Sequence, residues 1–325
     1  MGKNLGIGTL VLALLLAIPA ARAEVGFREI TAAPEDGLGA VEGGIWYPTD
    51  VPAGPQRPAR SPPLGGQGRL ALVLLIPGAG GDYLSHRPLA IALAEAGFVA
   101  ASFNPPATRG TEQNPLRRMA QRARGVSRGL DYLLAAWPDR ARLDPGRIGA
   151  FGYSAGGLTL TLLLGGLPDP QRFAEFCAAE QQDPLCRPSF GGAVAATPAA
   201  AIAALRPDRR IRAAVLAAPA LGFLFSREGL ARLPHDLPLQ IWRPDEDAVL
   251  RAPHHADALR QALPAPVDFR TIPGAGHFVF LPPCPPGPDA QTAALCRDSP
   301  GFDRAAFQRD FHAAVVAFFR RALAP

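Results

Sequence analysis

The stretch Arg147-Ile148-Gly149-Ala150-Phe151-Gly152-Tyr153-Ser154-Ala155-Gly156-Gly157-Leu158 decides how this chain is read. Residues 147–151 form a run of strand length, and residues 155–164 carry helical character. Between them Gly152-Tyr153-Ser154-Ala155-Gly156 has the form G-x-S-x-G. Glycines two before and two after the serine let a strand and a helix approach each other across a tight, strained turn, which leaves the serine side chain exposed at the corner. A plain glycine turn between strand and helix is the bland alternative.

Outward from this corner the same rhythm repeats. Leu70-Ala71-Leu72-Val73-Leu74-Leu75-Ile76 is a continuous apolar run, as a strand buried on both faces of a parallel sheet requires. Pro77-Gly78-Ala79-Gly80-Gly81 ends it, a helix is expected over Leu89–Ala96, and Phe98–Phe103 is the next strand. Helical spacing covers Leu116–Trp137, strands are expected over Ile211–Ala217, Leu239–Trp242 and Val267–Ile272, and an amphipathic helix over Phe307–Leu323. Two short strands, Val25–Ile30 and Val41–Tyr47, come first. Residues 51–69, with Pro52, Pro55, Pro58, Pro62 and Pro63, read as a surface loop. Strands alternating with helices predict an α/β fold with a doubly wound, mostly parallel sheet. Residues 168–210 interrupt the rhythm and read as a small insertion or lid within a single domain spanning 24–325.

Composition narrows the function. The 325 residues are 48% hydrophobic and 19% charged, ample for a buried core. Lys3 is the only lysine, and the net charge of +5 is spread along the chain with no zinc-finger spacing, RNA-binding motif or basic helix. Nucleic acid is therefore not expected as a partner. Lys3, the apolar run Leu5–Ile18, Pro19 and the small residues of Ala21-Arg22-Ala23 predict a signal peptide over residues 1–23. The alternative, an uncleaved anchor, needs a longer apolar run. Removal of Lys3 and Arg22 leaves 31 − 28 = +3, and no remaining run is long enough to span a bilayer. The chain thus reads as exported, either periplasmic or secreted. Cys177 with Cys186 and Cys284 with Cys296 form two local pairs, read as two disulfides. Zinc ligands normally sit closer together, so no metal is expected.

A serine hydroxyl needs a base to act as a nucleophile at neutral pH. Of six histidines, His277 stands in Pro273-Gly274-Ala275-Gly276-His277, just past the last strand, where a loop carries the imidazole over the carboxyl edge of the sheet. His312 falls inside the terminal helix, His254 and His255 at a helix start, and His86 just beyond the glycine loop, where a site-lining role stays open. The imidazole in turn needs an acid. Asp245, Glu246 and Asp247 follow the strand ending at Trp242. Asp247 is preferred, because Pro244 constrains Asp245 and an extended backbone turns Glu246 the other way. Two backbone N–H groups should face the developing oxyanion: that of Ala155, and one from the 77–81 loop, assigned to Ala79. That loop lacks G-x-G-x-x-G, so no dinucleotide or other cofactor is expected.

The order Ser154…Asp247…His277, with Ile45-Trp46-Tyr47-Pro48, the 77–81 loop and Gly274-Ala275-Gly276-His277-Phe278, resembles the α/β-hydrolase superfamily over nearly the whole mature length. Within it the chain looks like bacterial predicted dienelactone-hydrolase-like proteins, related to platelet-activating-factor acetylhydrolases. It departs from dienelactone hydrolase proper in carrying a serine at 154 where that enzyme has cysteine. It departs from many esterases in carrying Pro77 where they have histidine. The resemblance implies serine-dependent hydrolysis of a small-molecule or lipid-like carboxylic ester. A serine peptidase and a catalytically silent binding protein are the competing readings. Leu221-Gly222-Phe223-Leu224-Phe225 is expected either to wall an acyl pocket or to pack beneath the lid.

Overall fold

The computed structural model describes residues 23–33, 39–52, 59–105, 114–187, 192–194, 196–284, 286–287 and 289–325. The expected signal peptide therefore lies outside the described residues, apart from Ala23.

Nine strands form one sheet: β1 (Glu24–Ala32), β2 (Val41–Thr49), β3 (Ala59–Arg60), β4 (Leu70–Ile76), β5 (Val99–Phe103), β6 (Leu143–Tyr153), β7 (Ile211–Ala217), β8 (Leu239–Pro244) and β9 (Asp268–Ile272). Their order is β3-β1-β2-β5-β4-β6-β7-β8-β9. β5 through β9 run parallel in that order, and β2 joins them antiparallel on β5. Nine helices accompany the strands among the described residues: α1 (Arg87–Glu95), α2 (Pro115–Ala135), α3 (Ala155–Leu163), α4 (Pro170–Ala179), α5 (Ala199–Ala203), α6 (Arg227–Leu230), α7 (Ala256–Ala262), α8 (Ala290–Leu295) and α9 (Arg304–Ala322).

The period-two geometry of β4 explains why the sheet is covered twice. Leu72, Leu74 and Ile76 point to one face, where they join Leu130 of α2 and Leu158, Leu160 and Leu162 of α3. Ala71, Val73 and Leu75 point to the other, against Leu89 and Leu93 of α1 and Phe311, Val315 and Phe319 of α9. This is the doubly wound arrangement that the apolar run of β4 implies.

Two details depart from the sequence reading. Residues 59 and 60, expected within a loop, pair in parallel with Gly26 and Phe27 of β1 and form the outermost strand. An edge position, with no neighbour on the far side, is where a proline-rich segment can still pair. The Tyr47 hydroxyl, donating to Pro62 O at 2.8 Å, and Thr49, donating to Pro63 O at 2.8 Å, secure the segment that follows. β6 also begins four residues earlier than its apolar core, because Leu143 pairs with Leu70 before an irregularity shifts the register.

Within residues 168–210, α4 leans on the segment after β7: Phe176 stacks on Phe223 with ring centroids 4.1 Å apart, and Phe173 lies 5.8 Å from the same ring. A contact of His254 Nε2 with Glu180 (3.2 Å) and an ion pair of Arg251 with Asp183 (3.2 Å) fasten its far end. Cys177–Cys186 and Cys284–Cys296 are bonded, with Cα atoms 5.3 and 5.8 Å apart. Among the described residues no helix is long and apolar enough to cross a membrane.

Closing a loop of about ten residues removes chain entropy worth about 2–3 kcal/mol from the unfolded state. A Cys177→Ser/Cys186→Ser double variant is therefore expected to lose stability of that size in urea unfolding. Peptide mapping without reductant should recover both local pairs, and a 177–284 cross-link or free thiols would refute the pairing.

Candidate active site

Ser154 is the single residue between β6 and α3, and its backbone has a positive φ, at φ 54°, ψ −119°. A non-glycine residue there costs on the order of 1–3 kcal/mol and persists only where its surroundings over-determine it. Here they do. The Ser154 N–H donates to Ala217 O of β7 at 2.9 Å, and its carbonyl accepts from Gly157 N at 2.9 Å and Ala220 N at 3.1 Å. Crowding fixes the flanking glycines: a Cβ on Gly152 would stand 2.5 Å from Gly156 O, and one on Gly156 would strike Ile76 O of β4. Both obstacles are backbone, so no side-chain rotation relieves them.

From this corner Ser154 Oγ reaches His277 Nε2 at 3.0 Å. His277 opens a short 3₁₀ turn, His277–Phe280, after β9, and the chain turns into it through Gly274 at φ 68°. Its Nδ1 lies 2.7 Å from Asp247 Oδ2. His277 and Asp247 are 5% and 7% exposed, so this pair is shielded from water. The other oxygen, Asp247 Oδ1, accepts from Val249 N at 2.9 Å and Leu250 N at 2.7 Å, which fixes the carboxylate plane. Asp245 and Glu246 are exposed. Their backbone N–H groups instead bind Ile272 O (3.2 Å) and Ala275 O (3.0 Å), stitching the acid loop to the histidine loop. Glu246 also accepts from the Ser299 hydroxyl.

Ala155, the first residue of α3, has its N–H outside the helical ladder. The 77–81 loop passes directly against the serine: a Cβ on Gly78 would lie 3.4 Å from Ser154 Cβ. Ala79 is exposed on this loop.

The structure thus brings Ser154, Asp247, His277, Ala155 and the Ala79 loop together. His235 is exposed, and His254 Nε2 meets Glu180 at 3.2 Å. His255 Nδ1 accepts from Leu221 N at 3.1 Å, deep under α4. His86 lies beneath the site, its ring edge-on to Phe151 and Tyr153 at 5.0 and 5.4 Å. It does not line an opening. The 221–225 segment packs under α4 through Phe223, so packing rather than an open acyl wall accounts for that ring. A cavity of about 870 Å³ runs between α2 and residues 197–210 and touches none of Ser154, Asp247 and His277. No group of three or more His, Cys, Asp or Glu suited to a metal occurs among the described residues.

Two supporting side chains carried no readable signal. The Tyr153 hydroxyl donates to His277 O at 3.1 Å, and its ring packs 5.2 Å from the imidazole. Burial pushes that phenol upward, so it remains a donor. Gln308, thirty-one residues beyond His277, donates to Val279 O at 2.6 Å and Leu281 O at 3.1 Å and braces the 3₁₀ turn from α9.

Burial also pushes His86 down to about 3, and His255 and His312 to about 4 each. Unfolded histidines titrate near 6.5. Below that pH the unfolded chain takes up protons that the folded protein refuses, so stability falls as pH drops from about 6.5 towards 4, by up to about 1.4 kcal/mol per unit for each histidine. The expected outcome is a Tm clearly lower at pH 5 than at pH 7.5, with a smaller drop in His86→Leu. A Tm independent of pH over that window would show these rings are not held neutral.

No family model matches the chain, and a search of curated proteins found no match. Among solved structures it is similar to a ferulic acid esterase from Streptomyces cinnamoneus, with 18% identity and a TM-score of 0.60 over 95% of this chain and 92% of that one. At that identity the likeness speaks for architecture alone. The strand order, the helices on both faces and this correspondence make the chain an α/β-hydrolase fold.

Proposed function

We propose that the protein is an exported serine hydrolase that cleaves carboxylic esters through an acyl-enzyme. One observation carries the reading: the continuous chain Ser154 Oγ–His277–Asp247, at 3.0 and 2.7 Å, anchored on a serine held at φ 54°. Its finer family placement, beside dienelactone-hydrolase-like and platelet-activating-factor-acetylhydrolase-like proteins, rests on the sequence motifs. Export rests on the N-terminal pattern, and the two disulfides support it.

In this mechanism Ser154 Oγ attacks the acyl carbonyl while His277 Nε2 accepts its proton. Asp247 holds Nδ1–H, fixing the tautomer and stabilising the imidazolium. The N–H groups of Ala155 and Ala79 receive the negative charge on the carbonyl oxygen. Collapse expels the alcohol, which leaves with the proton from His277. A water molecule, deprotonated by the same imidazole, then releases the acid and restores Ser154. The structural neighbour is a ferulic acid esterase by name, so methyl ferulate belongs in the substrate panel beside p-nitrophenyl esters of rising chain length. A matched anilide series tests the peptidase reading.

Fluorophosphonate should label the mature protein at Ser154 and fail on Ser154→Ala. Labelling that survives this change would remove Ser154 as nucleophile, and no labelling at all would favour the silent binding protein. Asp247→Asn should lower kcat on the order of 10⁴-fold, because the imidazole loses its tautomer lock and counter-charge. Asp245→Asn, a solvated loop acid, should change it by less than about tenfold. The reverse pattern in folded protein would assign the role to Asp245.

A further inference from the structure

Two arginines are among the buried polar side chains of the described residues, and they are partnered differently. Arg304 is 5% exposed and meets the Asp298 carboxylate at 2.8 Å. Arg122, on α2 and 9% exposed, has no carboxylate among its described hydrogen-bond partners. Its Nη2 donates to Pro77 O at 2.6 Å and Gly78 O at 3.3 Å, and its Nε faces Thr159 Oγ1 at 3.4 Å. Desolvation draws it down only to about 10, so it is a cation at neutral pH. A buried charge with no counter-ion among the described residues is costly, and a fold that needed only packing here would use an apolar side chain.

We propose that Arg122 is the positioning residue of the oxyanion loop: its guanidinium grips the Pro77 and Gly78 carbonyls and thereby aims the Ala79 amide across Ser154. The inference rests on the serine-hydrolase reading above. In a trans peptide the C=O and N–H point to opposite sides. Tethering Gly78 O to Arg122 therefore turns the Ala79 N–H away from α2. The loop cannot drift, because Gly78 Cα is wedged against the Tyr153 ring, where an added Cβ would lie 3.0 Å from Cδ1. Thr159 completes the link, since its hydroxyl donates to Ala155 O at 2.9 Å. One guanidinium thus registers the loop carrying one N–H against the first turn of the helix carrying the other. Its charge also polarises the two loop peptides, which strengthens their N–H groups as donors.

The test uses the full mature chain with Arg122→Gln and Arg122→Lys, assayed on p-nitrophenyl acetate and against a trifluoromethyl ketone, whose serine adduct places an oxyanion in the same position. Arg122→Gln should lose about 10²-fold in kcat with KM within about threefold, and the ketone should bind weaker by the same factor. Arg122→Lys, which keeps the charge but not the fork, should lose about tenfold in both. A role confined to folding would lower Tm and leave the ratio of ketone to substrate affinity unchanged. A folded Arg122→Gln with kcat within threefold of wild type, or a loss confined to KM, overturns the inference. Should Arg122→Gln fail to fold, an Arg122→Lys enzyme with wild-type kcat and ketone affinity overturns it equally. A wild-type protein inert towards esters and fluorophosphonate sinks the hydrolase reading itself, whereas an active wild type with an indifferent Arg122 sinks this inference alone.

Discussion

The close approach of α3 to β4 is the constraint on which the rest of the site depends. Gly156 sits so near Ile76 O that no side chain fits, and Gly152 is similarly pressed against the helix. That crowding forces the corner at Ser154 into a positive-φ backbone and lifts its hydroxyl clear of the sheet. It also brings the loop after β4 alongside the serine, because the strand that crowds the helix is the strand that feeds the loop. The cost is local, on the order of 1–3 kcal/mol for one residue in an unfavoured region, and small beside the apolar layers on both faces of β4.

The parallel register supplies the remaining distances. β6, β7, β8 and β9 lie side by side, so loops leaving the ends of β6, β8 and β9 rise from the same edge. Strands in a sheet are roughly 4.8 Å apart, which puts the serine corner and the acid loop, two strands away, roughly 10 Å from each other. A histidine ring with one hydrogen bond on each side is about the right length to close that gap. The loop carrying it must then be firmly held, and it is tied to the acid loop through Asp245 N and Glu246 N, to Tyr153 below, and to Gln308 from α9.

What the sequence made legible were features written locally. The β4 run announces a strand covered twice, and the glycine spacing around Ser154 announces a corner that only close packing can demand. Asp247 could be singled out from its two acidic neighbours on backbone grounds, and those neighbours are the exposed ones. The illegible features depend on residues distant in the chain. Arg122 lies in a helix whose spacing speaks only of burial, yet its partners are forty-four and forty-five residues away. Tyr153 occupies a variable position of its motif, and its partner is the backbone of residue 277. Residues 59 and 60 pair because β1 offers a free edge, not because they look like a strand. Carbonyl acceptors leave no trace in composition, so side chains that serve them cannot be read from it.

Gln308 has a consequence for the order of events during synthesis. The turn bearing His277 is braced by a side chain near the start of the last helix, and Phe307 and Phe311 of that helix pack on Phe280 of the same turn. A nascent chain still holding its final helix inside the ribosomal exit tunnel has Ser154 and Asp247 outside but lacks the brace for the residue between them. The proton acceptor is thus seated by a stretch of chain synthesised after every member of the triad, so docking of α9 is what completes its support.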